Sequence, residues 1–283
     1  MTLVLQKVSL MILIFILINF FIVKDNSFFN IFQNYELNRT IESLNNTNSS
    51  LFQNIQSFSY LCSSFNGYLV LDHNLNIIIK FDKQFKYDGY INIWRPQFIM
   101  ALNNSNKSEI FIACFHRIYK LNSELSYLKH YNDLKNRYTC LHYNQTGDYI
   151  LATSSTNQVI EFFRRDDLTY IKYISTSPYS PNNIRDFNGS LYISTTNKKI
   201  LVFKNEIIIN TFNTLRDSIT SLAIDSFGVL AVVYSNYIHL YSINGTYLNF
   251  TWTSPLAMSL TSIGFDAFEN LIVTSINGIH IFN

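Results

Sequence analysis

The sequence predicts an all-β chain folded as a six-bladed β-propeller. Three observations predict it: a strand–turn–strand unit that returns about every 41 residues, a large apolar residue that closes each unit in register, and flanking apolar runs that bring each unit to four strands. The clearest unit is Gly67-Tyr68-Leu69-Val70-Leu71-Asp72 followed by Asn76-Ile77-Ile78-Ile79-Lys80-Phe81. It returns at 147–152 with 157–162, at 189–194 with 197–203, at 228–233 with 236–241, and more weakly at 270–274 with 277–282. A further copy, 109–113 with 116–121, keeps the apolar pattern without the Gly and the Asn.

The residues closing the second run are Phe81, Leu121, Phe162, Phe203, Tyr241 and Phe282, with successive gaps of 40, 41, 41, 38 and 41. Each unit opens on a Gly- or Asn-bearing turn, runs through apolar and aromatic residues, reverses at a polar turn, and ends on the anchor. Such a hairpin is marginal alone. Its runs are nearly continuous rather than alternating, as expected where both faces of a sheet are covered by neighbouring blades.

Flanking runs at 58–62 and 90–94 in the first unit, and at 221–225 and 247–252 in the fifth, supply the other two strands. The last unit shows no fourth strand after 277–282, so the region 28–44 is expected to pair there and close the ring. The expected organisation is therefore residues 1–25 as a signal anchor or signal peptide, 26–56 as the closing strand with an Asn-rich loop at 45–50, and 57–283 as the propeller.

Gly67 to Phe81, with the order glycine, strand ending in Asp72, Asn76 and strand ending in Phe, resembles the consensus of NHL-type propeller repeats. Ala223-Ile224-Asp225 with Gly228, and Gly264-Phe265-Asp266 before Asn270, resemble that family's first strand and turn. The resemblance spans roughly residues 57–283 and implies a propeller. At the position of Asp72 the other units carry Ala113, Ala152, Ser194, Val233 and Thr274, and the Trp-Asp dipeptide of WD-type repeats is absent.

Residues 8–23 form an apolar run of 16, with Lys7 before it and Lys24-Asp25 after it. No small-residue cleavage site follows, so the run reads as one hydrophobic N-terminal helix. It is expected to contact a membrane through residues 3–23 and to place the propeller extracytoplasmically as a single-pass protein, with secretion as the alternative. Nine Asn-x-Ser/Thr sites, at Asn38, Asn45, Asn48, Asn103, Asn106, Asn144, Asn188, Asn244 and Asn249, agree with export. The chain holds 34 asparagines, so their number exceeds chance only slightly.

Composition excludes several classes. Charged residues make up 14%, and 21 basic against 19 acidic residues leave a net charge of +2, too little for a nucleic-acid partner. Cys62, Cys114 and Cys140 read as small buried hydrophobes, and the six histidines form no metal-ligand spacing. There is no Gly-x-Ser-x-Gly elbow, phosphate loop or paired-carboxylate motif, so no catalytic residue and no cofactor is assigned.

The reading is a non-catalytic module that binds a protein or glycan through loops at one end of the disc, with Trp94, Arg95 and Trp252 as contacts. The alternative is a calcium-dependent hydrolase or lactonase with Asn144, Asp186, Asp225 and Asp266 converging in the central channel. The competing use of those three aspartates is to accept backbone N–H groups in turns.

Overall fold

The computed structural model describes residues 37–41, 59–64, 67–83, 87–104, 107–254, 259–265, 271–275 and 278–282. Every regular element among them is a strand. A first strand, β1 (Leu37–Ile41), precedes the repeats. Two quartets follow: β2 (Tyr60–Ser64), β3 (Gly67–Asp72), β4 (Ile77–Asp82) and β5 (Tyr87–Asn92), then β6 (Pro96–Asn104), β7 (Lys107–Cys114), β8 (Arg117–Leu121) and β9 (Tyr127–Asn132). Next come β10 (Tyr138–Asn144), β11 (Tyr149–Ser154), β12 (Val159–Arg164) and β13 (Tyr170–Ser175), and then β14 (Pro181–Phe187), β15 (Ser190–Thr195), β16 (Lys199–Lys204) and β17 (Ile207–Asn213). The last are β18 (Ser221–Ile224), β19 (Val229–Val233), β20 (Tyr237–Ser242) and β21 (Tyr247–Thr253), with β22 (Leu260–Phe265), β23 (Leu271–Ser275) and β24 (Gly278–Phe282).

These strands form six four-stranded sheets, five of them in simple chain order and the sixth in the order β1-β24-β23-β22. The first strands β2, β6, β10, β14, β18 and β22 neighbour one another in sequence, and β22 returns to β2, so the sheets close into a ring around a channel. All pairings are antiparallel, and β1 meets β24 with Leu37 opposite Phe282 and Ile41 opposite Ile279.

Burial follows the position of a strand in its sheet. The second and third strands are covered on both faces: Leu69, Val70 and Leu71 are fully buried, as are Leu230, Ala231, Val232 and Val233. Fully burying one such side chain stabilises by about 1.5–3 kcal/mol, and a lone hairpin would leave at least one face of it in water. The outer strands β9 and β17 are almost wholly exposed, because sheets splayed around an axis separate towards the rim. Glu109 and Lys120 pair within the second sheet at 2.7 Å and both reach the third, Glu109 to Arg165 at 3.1 Å and Lys120 Nζ to the carbonyl of Asp166 at 3.2 Å.

The expected hydrophobic N-terminal helix is corrected. No helix occurs among the described residues, none there is long and apolar enough to cross a membrane, and residues 3–23 lie outside them. A run of 16 residues also falls short of the roughly 20 that span a bilayer as a helix. The single-pass anchor, the membrane contact through 3–23 and the membrane localisation read from that run are therefore not carried further. Two of the sequons expected in turns are there, Asn188 and Asn244, whereas Asn103 and Asn144 lie near the ends of β6 and β10. Asn38 and Asn249 lie within strands, and Asn45, Asn48 and Asn106 fall outside the described residues.

Ring closure generates a stability prediction. Deleting residues 26–44 removes β1, leaves β24 with a free edge, and should lower the thermal unfolding midpoint by about 5 °C or more. Deleting 45–50 should have a much smaller effect, because loop length enters only through closure entropy. Calorimetry of both deletions beside the parent chain checks this, and an unchanged midpoint for the larger deletion would show that β1 is dispensable.

Candidate functional site

Four antiparallel strands alternate in direction, so the turn between the second and third strands and the connector to the next sheet lie at the same end of the disc. Across the first three sheets this end is knit together by side chains. His73, in the turn after β3, places Nδ1 2.9 Å from the carbonyl oxygen of Pro96 in the connector, and His116, in the turn after β7, places Nδ1 2.7 Å from the carbonyl of Asn136. Asn76 Oδ1 accepts the backbone N–H of Arg95 at 2.8 Å. That bond supports a left-handed backbone at Arg95 (φ 49°), a conformation that costs a non-glycine residue about 1–2 kcal/mol.

Arg137 is held from its neighbour. Asn136 is buried, donates to Glu161 Oε1 at 2.8 Å and to Asp133 Oδ2 at 2.9 Å, and accepts from Ser154 Oγ at 2.8 Å. Glu161 also accepts from the Tyr138 hydroxyl at 2.7 Å, so the connector enters β10 from a saturated polar knot. Two guanidiniums are thereby fixed around one ring: Arg95 lies 5.4 Å and Arg137 4.9 Å from the centre of Phe115, while Arg95 also lies 4.9 Å from the Trp94 ring. Trp94 is 56% exposed. Arg95, Arg137 and Phe115, with His73, Asn74, Asn76 and Gln97, line an open groove of about 400 Å³, and Trp94 lies beside it against Arg95.

Among the described residues no carboxylate pairs with Arg95 or Arg137. The nearby Asp133 is committed to Asn136 and to the Lys135 N–H. Two guanidiniums against one aromatic ring, neither paired with a carboxylate, can take an anion. Of the residues expected to make contacts, Trp94 and Arg95 come together here. Trp252 lies elsewhere, on the outer strand β21 of the fifth sheet with Ile238 opposite it. The sequence reading missed Phe115 and Arg137, which come from successive repeats and meet only through the ring.

The expected calcium ligands are not brought together. Asn144 Oδ1 accepts the Gly147 N–H at 2.8 Å, and Asp225 Oδ1 accepts those of Phe227 and Val229 at 2.9 and 2.8 Å. Gly228 completes the Asp225 turn with φ +84°, and a Cβ there would press on Phe187 at 3.0 Å. Asp186 faces His142 Nε2 at 3.8 Å, and Asp266 lies outside the described residues. No group of three His, Cys, Asp or Glu side chains among the described residues is placed to hold a metal. The three cysteines are free thiols, Cys62 on β2, Cys114 on β7 and Cys140 on β10. Burial pushes the Cys62 and Cys114 thiols up to about 12, which keeps them protonated and unreactive at neutral pH.

Comparison with known proteins places the fold. No family model matches the chain and no curated protein matches it, so the NHL-type resemblance reaches no further than the propeller architecture. Solved propellers do resemble it. The WD40 domain of Neurospora crassa Pan2 has a TM-score of 0.61 at 9% identity, over 77% of this chain and 72% of that one. The structure of streptogramin B lyase has a TM-score of 0.63 at 12% identity, over 81% of this chain and 93% of that one. This chain is a β-propeller related in fold to both, and identities this low carry the fold alone.

Two buried histidines give the protein a pH dependence. Burial, reinforced by Arg185, lowers His142 from its ordinary 6.5 to about 3, and burial with Arg216 beside it lowers His239 to about 4. His239 sits among Tyr234, Tyr237 and Tyr247 with Nδ1 unpartnered. A folded pKa below the unfolded one means that the unfolded chain takes up protons first on acidification. The stabilisation is therefore fully present above about pH 6.5 and lost as pH falls towards the folded values, with a slope of up to about 1.4 kcal/mol per pH unit for each histidine. Burial raises the carboxyls of Glu161 and Asp186, which acts in the opposite sense within the lower part of that window. Urea midpoints should fall between pH 7 and pH 5, and His142→Gln with His239→Gln should flatten that decline; equal slopes in parent and double variant would contradict it.

Proposed function

We propose that this protein is a non-catalytic recognition module whose loop-bearing end binds an acidic segment of a protein partner. The observation that carries the reading is the pair of guanidiniums, Arg95 and Arg137, held against Phe115 with no carboxylate partner among the described residues, beside an exposed Trp94. An extended acidic segment lying along the groove would neutralise both charges. Trp94 would cover an apolar or aromatic side chain of the same segment, giving the aromatic and arginine anchor typical of interaction sites. The groove is open rather than enclosed, which suits a polymer crossing the disc. A glycan would use Trp94 and the carboxamides of Asn74, Asn76 and Gln97 and would leave the two cations without a counter-charge, so the protein reading uses more of the surface.

Fluorescence anisotropy with a labelled Glu/Asp-rich peptide containing one tryptophan tests this. Arg95→Ala and Arg137→Ala should each weaken binding by about tenfold, Trp94→Ala by a similar factor, and binding should fall with added salt. Both arginines are at the surface, so the unfolding midpoint of each variant should match the parent. Salt-insensitive binding, or binding unaffected by both arginine substitutions, would reject the acidic-segment reading. Binding of neutral oligosaccharides in place of the peptide would replace it with the glycan reading.

A further inference from the structure

The channel at the centre of the ring has its own chemistry. Its wall is made of first strands, and each of these strands is hydrogen-bonded on one side only. At mid-depth they line a partly open cavity of about 300 Å³. Leu61, Met100 and Ile224 give it an apolar lining, Cys62 and Ser262 add neutral polar groups, and His142 is kept neutral by burial. Among the described residues, Arg185 is the only charged side chain lining it.

Arg185 Nη1 donates to its neighbour's carbonyl at Ile184 (2.7 Å) and lies 3.5 Å from Cys140 Sγ, with the guanidinium 5.5 Å from the Phe98 ring. These contacts use a small part of a five-donor fork. No carboxylate pairs with Arg185 among the described residues, and the adjacent Asp186 does not line the cavity. Arg185 is half-buried, and a guanidinium partly withdrawn from water without a counter-charge is a ready partner for a ligand that supplies one. A phosphate or chloride ion would neutralise Arg185 and leave the apolar wall unfilled. A carboxylate on a short hydrocarbon body satisfies both, and the volume lies at the small end of ligand sites.

We propose that the central channel is a binding site for a small apolar monocarboxylate, with Arg185 pairing the carboxylate and Leu61, Met100 and Ile224 enclosing the body. The site is separate from the loop-bearing groove and does not depend on it. It requires no metal ion.

The test uses the full chain with 13C-methyl methionine. The chain has four methionines, so the spectrum is simple, and Met100→Leu assigns the reporter in the cavity wall. Hexanoate should shift the Met100 methyl saturably. Hexanamide, the neutral isostere, should bind at least tenfold more weakly, and Arg185→Gln should weaken hexanoate by a similar factor. The acid–amide comparison on the parent chain decides the question even if Arg185→Gln fails to fold. No hexanoate-dependent shift, or equal affinity for acid and amide, would overturn the proposal. Inorganic phosphate competing as well as hexanoate would overturn the ligand class.

Discussion

The structure depends on one constraint: among the described residues, the second and third strands are buried on both faces and largely apolar, so a sheet needs a neighbour on each side. Leu69, Val70 and Leu71 in one sheet, and Leu230, Ala231, Val232 and Val233 in another, lie within clusters that also draw on adjoining sheets. A linear stack would leave two such faces in water. The ring removes them, and the sheet that joins chain start to chain end, β1-β24-β23-β22, is where that closure is made. Stability is therefore shared around the disc, and the loops at its ends are released from structural duty.

That division explains where recognition chemistry can sit. The groove at the loop-bearing end is built from connectors that the ring brings side by side, with Arg95 and Arg137 contributed by successive connectors and Phe115 by the turn between them. The channel is built from first strands, each the inner edge of its sheet with a ladder on one side only. Each place holds arginine without a carboxylate partner among the described residues, although the chain as a whole is nearly neutral. Charge placement rather than net charge marks the two proposed sites.

How much of this was legible in the sequence follows from the range of the interactions involved. The repeat was legible because the third strands carry a large buried residue in register, as at Phe81, Leu121, Phe203 and Tyr241, and most hairpins carry a Gly or Asn turn signal. Trp94 and Arg95 were legible as large side chains beside a connector. Phe115 and Arg137 were not, because their partners lie about half a repeat or a full repeat away along the chain and converge only when sheets stack. Asp225 was ambiguous for a local reason: an aspartate beside a turn serves a cation and a backbone N–H equally well on paper, and only the bonds to Phe227 and Val229 choose. The N-terminal apolar run lies outside the described residues, which contain no helix. Arg185 carried no motif at all; its role rests on what surrounds it.

Ring closure is the central claim, and native-state hydrogen exchange of the full chain measures it most directly. If β1 completes the last sheet, the amides of β23 and β24 should exchange through the same global opening as those of β11, β15 and β19, with protection factors that agree across the ring. Exchange in β23 and β24 that is orders of magnitude faster than in the other central strands would mean that the last sheet opens independently, and the account of a closed, mutually supported ring would be wrong.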